Sequence, residues 1–377
     1  MKHKDIRTVL VTGGAGFIGS WIVDALLAEG YRLVILDTLG KPTHDGKLPA
    51  WVSKRATFIH GSVAVKSDWQ RALKDVDAVI HLAARMDYHP DFSSYVDVNV
   101  RSVALLFELI AEKKARIKHL ILASSQAVYG EGPLSCALHG VMYPAPRREA
   151  QLNKKNWEHE CSKCGRALRP VAQKEVHELH PMNPYGLSKR FSEELAFGLG
   201  RQEDVPVTAF RYSIALGPRQ SFRHFYSGAL RSFAVDALTG RDIAMHEDGE
   251  QVRDFVDVRD LAQAHVKALG NKKAYFHVFN IGSGKRTKVI ELARMIAREA
   301  GVPFRPSFNA RYRVGAPRHG AMDASKIRKT LGWSAKTPLA RTVADYLRWL
   351  SQQKGLRAYL DKTERDMKRK GLLKDVR

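Results

Sequence analysis

Apolar positions along the chain fall into short continuous runs separated by stretches with helical spacing. Arg7 to Thr12 is a β-branched run that ends in Gly13-Gly14-Ala15-Gly16-Phe17-Ile18-Gly19, and helical apolar spacing follows from Ser20 to Gly30. Further runs at Tyr31 to Asp37, Asp77 to Ala84 and Lys118 to Ser125 predict strands, with a helix over Val96 to Lys113 between the last two. Continuous apolar strands alternating with amphipathic helices predict a parallel sheet covered on both faces. From Cys136 to His180 the periodicity lapses into a polar stretch that carries Pro144, Pro146 and Pro170, which reads as an insertion with its own local order. Regular structure resumes with a helix over Tyr185 to Gly200 and strands at Val205 to Tyr212 and His277 to Ile281. The fold class is therefore α/β: a Rossmann-type doubly wound parallel sheet, a smaller α/β lobe, and a cysteine-bearing insertion. The boundaries are 1–135 with 181–216 and 254–282 for the dinucleotide-type domain, 136–180 for the insertion, 217–253 with 283–351 for the lobe, and 352–377 for a basic tail.

Composition narrows the class. The 377 residues are 44% apolar and 27% charged, which describes a folded chain, and their 62 Lys+Arg against 39 Asp+Glu leave a charge of +23. Such a charge suits an anionic partner, whether nucleic acid, an acidic membrane surface or a phosphorylated substrate. No run approaches the length of about 18 apolar residues needed to span a bilayer, and no signal-peptide core follows Met1. A cytoplasmic location is expected. The 3 cysteines do not make a disulfide framework and turn attention to metal binding.

Gly13, Gly16 and Gly19 have the spacing GxxGxxG between a strand and a helix. Glycines there permit a tight turn and let a pyrophosphate approach the backbone, beside the free N–H groups of a helix start. Asp37 closes the next strand, where a carboxylate accepts bonds from an adenosine ribose and repels a 2′-phosphate; NAD is thus expected over NADP. Tyr185 and Lys189 stand at i and i+4 on one helix face. A phenol with a pKa of about 10 is a poor base at neutral pH, and a neighbouring ammonium with an oxidised nicotinamide lowers it. The strand end Ser124-Ser125 lies beside this pair in the expected fold.

Together these residues make the sequence resemble the extended short-chain dehydrogenase/reductase family, in particular its nucleotide-sugar epimerases and dehydratases. The resemblance runs from about Thr8 to Leu350 outside the insertion, through TGGAGFIGS, HLAA, DVNV, SSQAVYG, NPYGLSK, RDFVDVRD, NIGSG and LGW. It implies that Ser125 holds the sugar hydroxyl, Tyr185 is the base, and Lys189 tunes Tyr185 and binds the nicotinamide ribose. It also implies that Gly13, Gly16, Phe17, Ile18, Gly19, Asp37, Ser62, Leu82, Ala83, Ala84 and Asn99 join Tyr185 and Lys189 around NAD. Arg253 and Arg318 are expected to grip the substrate's diphosphate, since guanidinium groups suit bidentate anions. Gln126 and Ser213 are expected beside the sugar. The chain departs from the family where Ile214 replaces an Asn and Ser62 an acidic residue.

Dehydratases of the family follow the Ser125 position with Asp and Glu; Gln126 and Ala127 stand here, and neither can perform that proton transfer. The implied reaction is epimerisation, at C4 by resemblance, through transient oxidation to a keto-sugar and return of the hydride. A nucleotide-sugar dehydrogenase or ketosugar reductase would use the same triad. From another class, a non-catalytic NAD-binding regulator or nucleic-acid binder would use the basic surface. A homodimer and a nucleotide-diphosphate sugar partner are expected.

Cys136-x2-His139 and, after 21 residues, Cys161-x2-Cys164 gather every cysteine with one histidine. Two short turns presenting two donors each suit a tetrahedral structural zinc, with His159 as a rival for the fourth place. Similar insertions occur in dTDP-L-rhamnose 4-epimerase-like proteins, a resemblance that implies a deoxysugar nucleotide. Trp333 and Trp349 are expected to pack in the small lobe.

Overall fold

A computed structural model of the chain describes residues 5–41, 43–44, 46–86, 90–223, 228–309 and 311–376, apart from the side chains of 357, 359, 360 and 363. Seven strands form one all-parallel sheet: β1 (Thr8–Thr12), β2 (Arg32–Asp37), β3 (Thr57–His60), β4 (Ala78–His81), β5 (His119–Ser125), β6 (Val207–Tyr212) and β7 (His277–Ile281). Their order, β3-β2-β1-β4-β5-β6-β7, reverses direction between β1 and β4, where doubly wound sheets open a ligand crevice. Every residue of β1 is buried, as its unbroken apolar run requires between two covered faces.

One face packs α1 (Phe17–Ala28) and the helix Val258–Ala268 around Val9, Val11, Ile22, Leu26 and Leu261. The other packs Ser102–Ala111 and Pro184–Gln202 around Leu10, Trp69, Leu106 and Leu122. The small lobe has its own core, Leu230, Phe233, Ile296, Val343 and Tyr346 among them, from helices Gly228–Leu238, Val289–Glu299 and Leu339–Ser351. Trp333 departs from expectation: it packs with the sheet domain and donates its indole N–H to Asp260 O at 2.9 Å. Trp349 does stack on Tyr346 in the lobe.

The insertion and the basic tail each have regular structure of their own. The insertion begins with the strand Leu134–Cys136, two residues early, which pairs antiparallel with Gly140–Met142 and Arg169–Pro170. The basic tail is folded: helix Leu356–Arg369 buries Met367, and the strand Leu373–Asp375 pairs with Arg311–Arg313 and buries Leu373. Its acidic residues recruit it, since Arg311 bonds Glu364 at 2.5 Å and Asp375 at 2.8 Å.

Candidate functional site

The C-terminal ends of the strands open into a cavity of about 760 Å³ that extends to the small lobe. The turn after β1 forms its floor. A Cβ on Gly19 would stand 2.2 Å from Gly13 O, so only hydrogen fits where the helix crosses the turn. Asp37 ends β2 in the cavity wall and accepts the Ala15 N–H at 3.1 Å and the Leu39 N–H at 2.9 Å.

Behind the wall runs a hydrogen-bond chain of fixed polarity. Thr12 Oγ1 accepts the N–H groups of Leu82 and Ala83 and donates to His81 Nδ1 at 2.7 Å. His81 Nε2–H donates to Ser102 Oγ at 2.9 Å, and Ser102 donates to Val98 O. Burial holds the His81 imidazole neutral, pushing its pKa down to about 3, with the nearby Lys189 charge adding to the effect. The chain fixes the Leu82–Ala83 backbone under the cavity.

The helix bearing Tyr185 and Lys189 starts at Asn183, whose side chain accepts the Gly186 N–H at 2.8 Å, with Pro184 in the first turn. Lys189 is buried, donates to Ala123 O at 2.8 Å, and lies 6.0 Å from the Tyr185 ring centre. Desolvation pushes its pKa down to about 8, partly countered by Glu193. Ser125 Oγ accepts the Ala127 N–H at 3.1 Å and faces the same cavity. A phenol, an ammonium and a hydroxyl thus converge on one wall, an arrangement that can take a proton from a bound alcohol and return it.

Gly13, Gly16, Phe17, Ile18, Gly19, Asp37, Ser62, Leu82, Ala83, Ala84, Ser125, Gln126, Tyr185, Lys189, Ser213 and Arg253 all line the cavity. Two expected site residues do not. Asn99 sits behind the wall on the π-helical segment Val96–Arg101; its amide accepts the Arg85 N–H at 2.7 Å and donates to Arg85 O at 2.9 Å and Ser188 Oγ at 2.8 Å. It shapes the segment after Ala84 and has no amide hydrogen left over. Arg318 is buried among carboxylates, its guanidinium bonded to Glu158, Glu247 and Asp248 at 2.7–2.9 Å, so its donors are spent. The arginine of this loop that lines the cavity beside Arg253 is Arg313, which the sequence reading missed. Its Nε is buried without a hydrogen-bond partner among the described residues. The signal available was an arginine two residues ahead of Gly315, in a stretch that also holds Arg311. Arg253 holds the carbonyls of Val252, Arg318 and Pro317 at 2.8–2.9 Å and so clamps the same loop.

The four residues of the cysteine pattern come together outside the cavity. Cys136 Sγ lies 3.6 Å from His139 Nδ1 and 3.7 Å from Cys164 Sγ, and Cys161 Sγ lies 3.4 Å from His139 Nδ1. All four donor atoms fall within 4.8 Å of one another. Tetrahedral zinc with Zn–S of about 2.3 Å and Zn–N of about 2.0–2.1 Å requires donor separations of about 3.5–3.8 Å. Backbone N–H groups of Leu138 and His139 help hold the Cys136 thiol down to about 6, toward the thiolate a metal needs. Gly165, at φ 70°, lets the chain curl so that its N–H reaches Cys161 O at 2.8 Å. His159 falls outside this cluster, and its Nε2 lies 3.1 Å from Glu131 Oε1.

The sequence profile described as the NAD dependent epimerase/dehydratase family matches residues 9–282. The chain is 32% identical over 355 residues to dTDP-L-rhamnose 4-epimerase of Burkholderia thailandensis, covering 93% of this chain and 96% of that one. Its fold is similar to UDP-glucose 4-epimerase of Thermotoga maritima solved with UDP-glucose, at TM-score 0.75 and 27% identity over 92% of this chain and 99% of that one. It is also similar to UDP-glucuronic acid 4-epimerase of Bacillus cereus solved with UDP-glucuronic acid and NAD, at TM-score 0.73 and 25% identity over the same shares of the two chains.

Proposed function

The chain belongs to the NAD dependent epimerase/dehydratase family, and from that premise we propose that it is a nucleotide-sugar 4-epimerase. The observation that carries this is the convergence of Ser125, Tyr185 and Lys189 on a cavity floored by the glycine turn, with Gln126 and Ala127 in place of a dehydratase's acid and base. Gly13, Gly16, Gly19 and Asp37 fit a dinucleotide's pyrophosphate and ribose, and Lys189 fits its nicotinamide ribose. NAD, when bound, takes a hydride from the sugar and gives it back.

Ser125 orients the sugar hydroxyl, Tyr185 accepts its proton as the C–H bond is oxidised, and Lys189 stabilises the phenolate. A keto-sugar that turned over in the cavity would present its other face, and Tyr185 would then return the proton to its oxygen. No oxidant is consumed. Arg313 and Arg253 supply the positive wall for the diphosphate. The relation to dTDP-L-rhamnose 4-epimerase favours a deoxysugar on a pyrimidine nucleotide.

Cys136, His139, Cys161 and Cys164 hold a structural zinc. Four protein ligands close the site, so the ion organises the insertion and takes no part in the chemistry. Thiolate ligands suit a reducing compartment and support a cytoplasmic location; no helix of the described residues is long and apolar enough to cross a membrane. Exposed Phe92, Val96, Leu187 and Phe191 on adjacent helical segments support a homodimer.

Incubating the purified protein with a panel of dTDP- and UDP-sugars and following products by NMR tests the function. A new epimer without net NADH is expected; stoichiometric NADH would replace this reading with a dehydrogenase.

A further inference from the structure

Glu158 stands three residues before Cys161, on the insertion, yet its carboxylate reaches the cavity wall of the other lobe. One oxygen accepts from Arg318 Nε at 2.8 Å and from a terminal guanidinium nitrogen at 2.7 Å; the other meets His319 Nε2 at 2.8 Å. His319 Nδ1 accepts the Val252 N–H at 3.1 Å, which puts the imidazole proton on Nε2 and makes His319 the donor to Glu158. His319 lines the cavity, as does Arg313 at the other end of the same loop.

Other bonds from the same side converge there. The Arg318 backbone N–H donates to Glu131 at 2.7 Å, and Arg147 bridges the Trp157 carbonyl at 3.0 Å to Glu247 at 2.9 and 3.1 Å. Glu247 also bonds Arg318 and lines the cavity. The loop 313–320 is therefore held between two clamps. Arg253 grips its carbonyls from within the cavity, and residues flanking the cysteine cluster grip its side chains from outside. Four-point ligation would fix the chain at Cys161, three residues from Glu158, and Glu158 is the insertion side chain that bonds both Arg318 and His319.

We propose that Glu158 is a positioning residue that couples the Cys3His cluster to the anion-binding wall, so that metal occupancy sets affinity for the nucleotide diphosphate without entering the chemistry. The coupling rests on the structural metal proposed above and gives that metal a role in substrate binding. The cluster, Glu158 and the loop form one mechanical series, in which loss of any member loosens His319 and the loop that follows Arg313.

The test uses the full chain as purified, with metal content by mass spectrometry, Kd for UDP and for dTDP by calorimetry, and KM and kcat on the sugar nucleotide that turns over. Glu158→Gln is expected to keep its metal, to raise Kd and KM about tenfold, and to leave kcat within about twofold, the pattern of lost uniform binding. Chelator-stripped wild-type protein is expected to show the same rise, and stripping Glu158→Gln to add nothing, because both break one series. Should Glu158→Gln not fold, Cys164→Ser at the exposed ligand is expected to raise Kd by itself. Metal-loaded Glu158→Gln with wild-type Kd, or effects of stripping and mutation that simply multiply, overturns the coupling and leaves the metal assignment standing. Metal-free protein as purified overturns the metal assignment, and the coupling with it.

Discussion

Lys189 Nζ donates to Ala123 O at 2.8 Å, two residues before Ser125, so the helix that presents the phenol is bolted to the strand that presents the hydroxyl. The ammonium cannot leave that carbonyl without a new partner, because it is fully buried. Its charge therefore stays beside Tyr185, 6.0 Å from the ring centre.

Tyr185→Phe is expected to lower kcat about a hundred- to ten-thousandfold, the usual worth of a positioned acid–base group. The fold and the NAD content should stay unchanged, as circular dichroism and absorbance of released cofactor would show. Activity within a few-fold of wild type would remove Tyr185 from the chemistry.

Arg313 and Arg318 separate by opposite readouts. Arg313→Ala is expected to weaken UDP or dTDP binding about ten- to a hundredfold, the loss of a charged hydrogen bond, with little change in melting temperature. Arg318→Ala takes from Glu158, Glu247 and Asp248 their shared partner and is expected to cost about 1.5–3 kcal/mol in denaturant unfolding. If Arg318→Ala instead leaves stability intact and loses nucleotide affinity, the assignment of the two arginines is reversed.

Gly19→Ala forces a methyl group into Gly13 O. The expected result is a loss of about 1–3 kcal/mol of stability together with loss of co-purified NAD, read by urea unfolding and cofactor absorbance. A variant with full cofactor content would show that the turn can yield.

Stability is expected to fall on mild acidification. Burial holds His81 and His246 down to about 3 and His265 down to about 4. Each folded-state pKa lies below the unfolded value of about 6.5, so the unfolded chain binds protons first and stability drains as pH drops below that point. Asp236, pushed up to about 6 by burial, acts the other way below pH 6, and Asp254 is raised by burial in the same sense. With three histidines set against Asp236 the net loss from pH 7.5 to 5.5 is about 3 kcal/mol, measured as urea midpoints across that range. A flat profile would mean that water reaches these imidazoles.

Chelation is expected to lower the melting temperature, and the fresh protein to carry one metal per chain, because ligation energy is folding energy for a segment with so small a core. Substoichiometric metal with an unmoved melting temperature would count against the ion.

The glycine turn, the Tyr185–Lys189 pair and the two cysteine pairs were legible because each is local: the chemistry lies within one turn of chain. The strand Thr57–His60 was not, because it edges the sheet with both ends exposed and carries only two apolar residues. The roles of Arg313 and Arg318 were not legible either. What removes Arg318 from the cavity is three carboxylates drawn from two distant segments, one of them inside the insertion, and no spacing along the chain announces that meeting. Asn99 shows the same limit, since its amide is spent on Arg85 and Ser188 by tertiary contacts. The +23 charge left nucleic acid, an acidic membrane surface and a phosphorylated substrate open, and the basic end of the chain is folded onto the lobe by its own Glu364 and Asp375.

The strand Leu373–Asp375 is paired with Arg311–Arg313, so the backbone beside Arg313 receives its partner from a segment about sixty residues further along the chain. The sheet domain's core is complete at Trp333, so the strand that backs Arg313 is the later of the two to find its partner. The loop from Arg313 to Gly320 thus depends on contacts of long sequence separation at both of its ends.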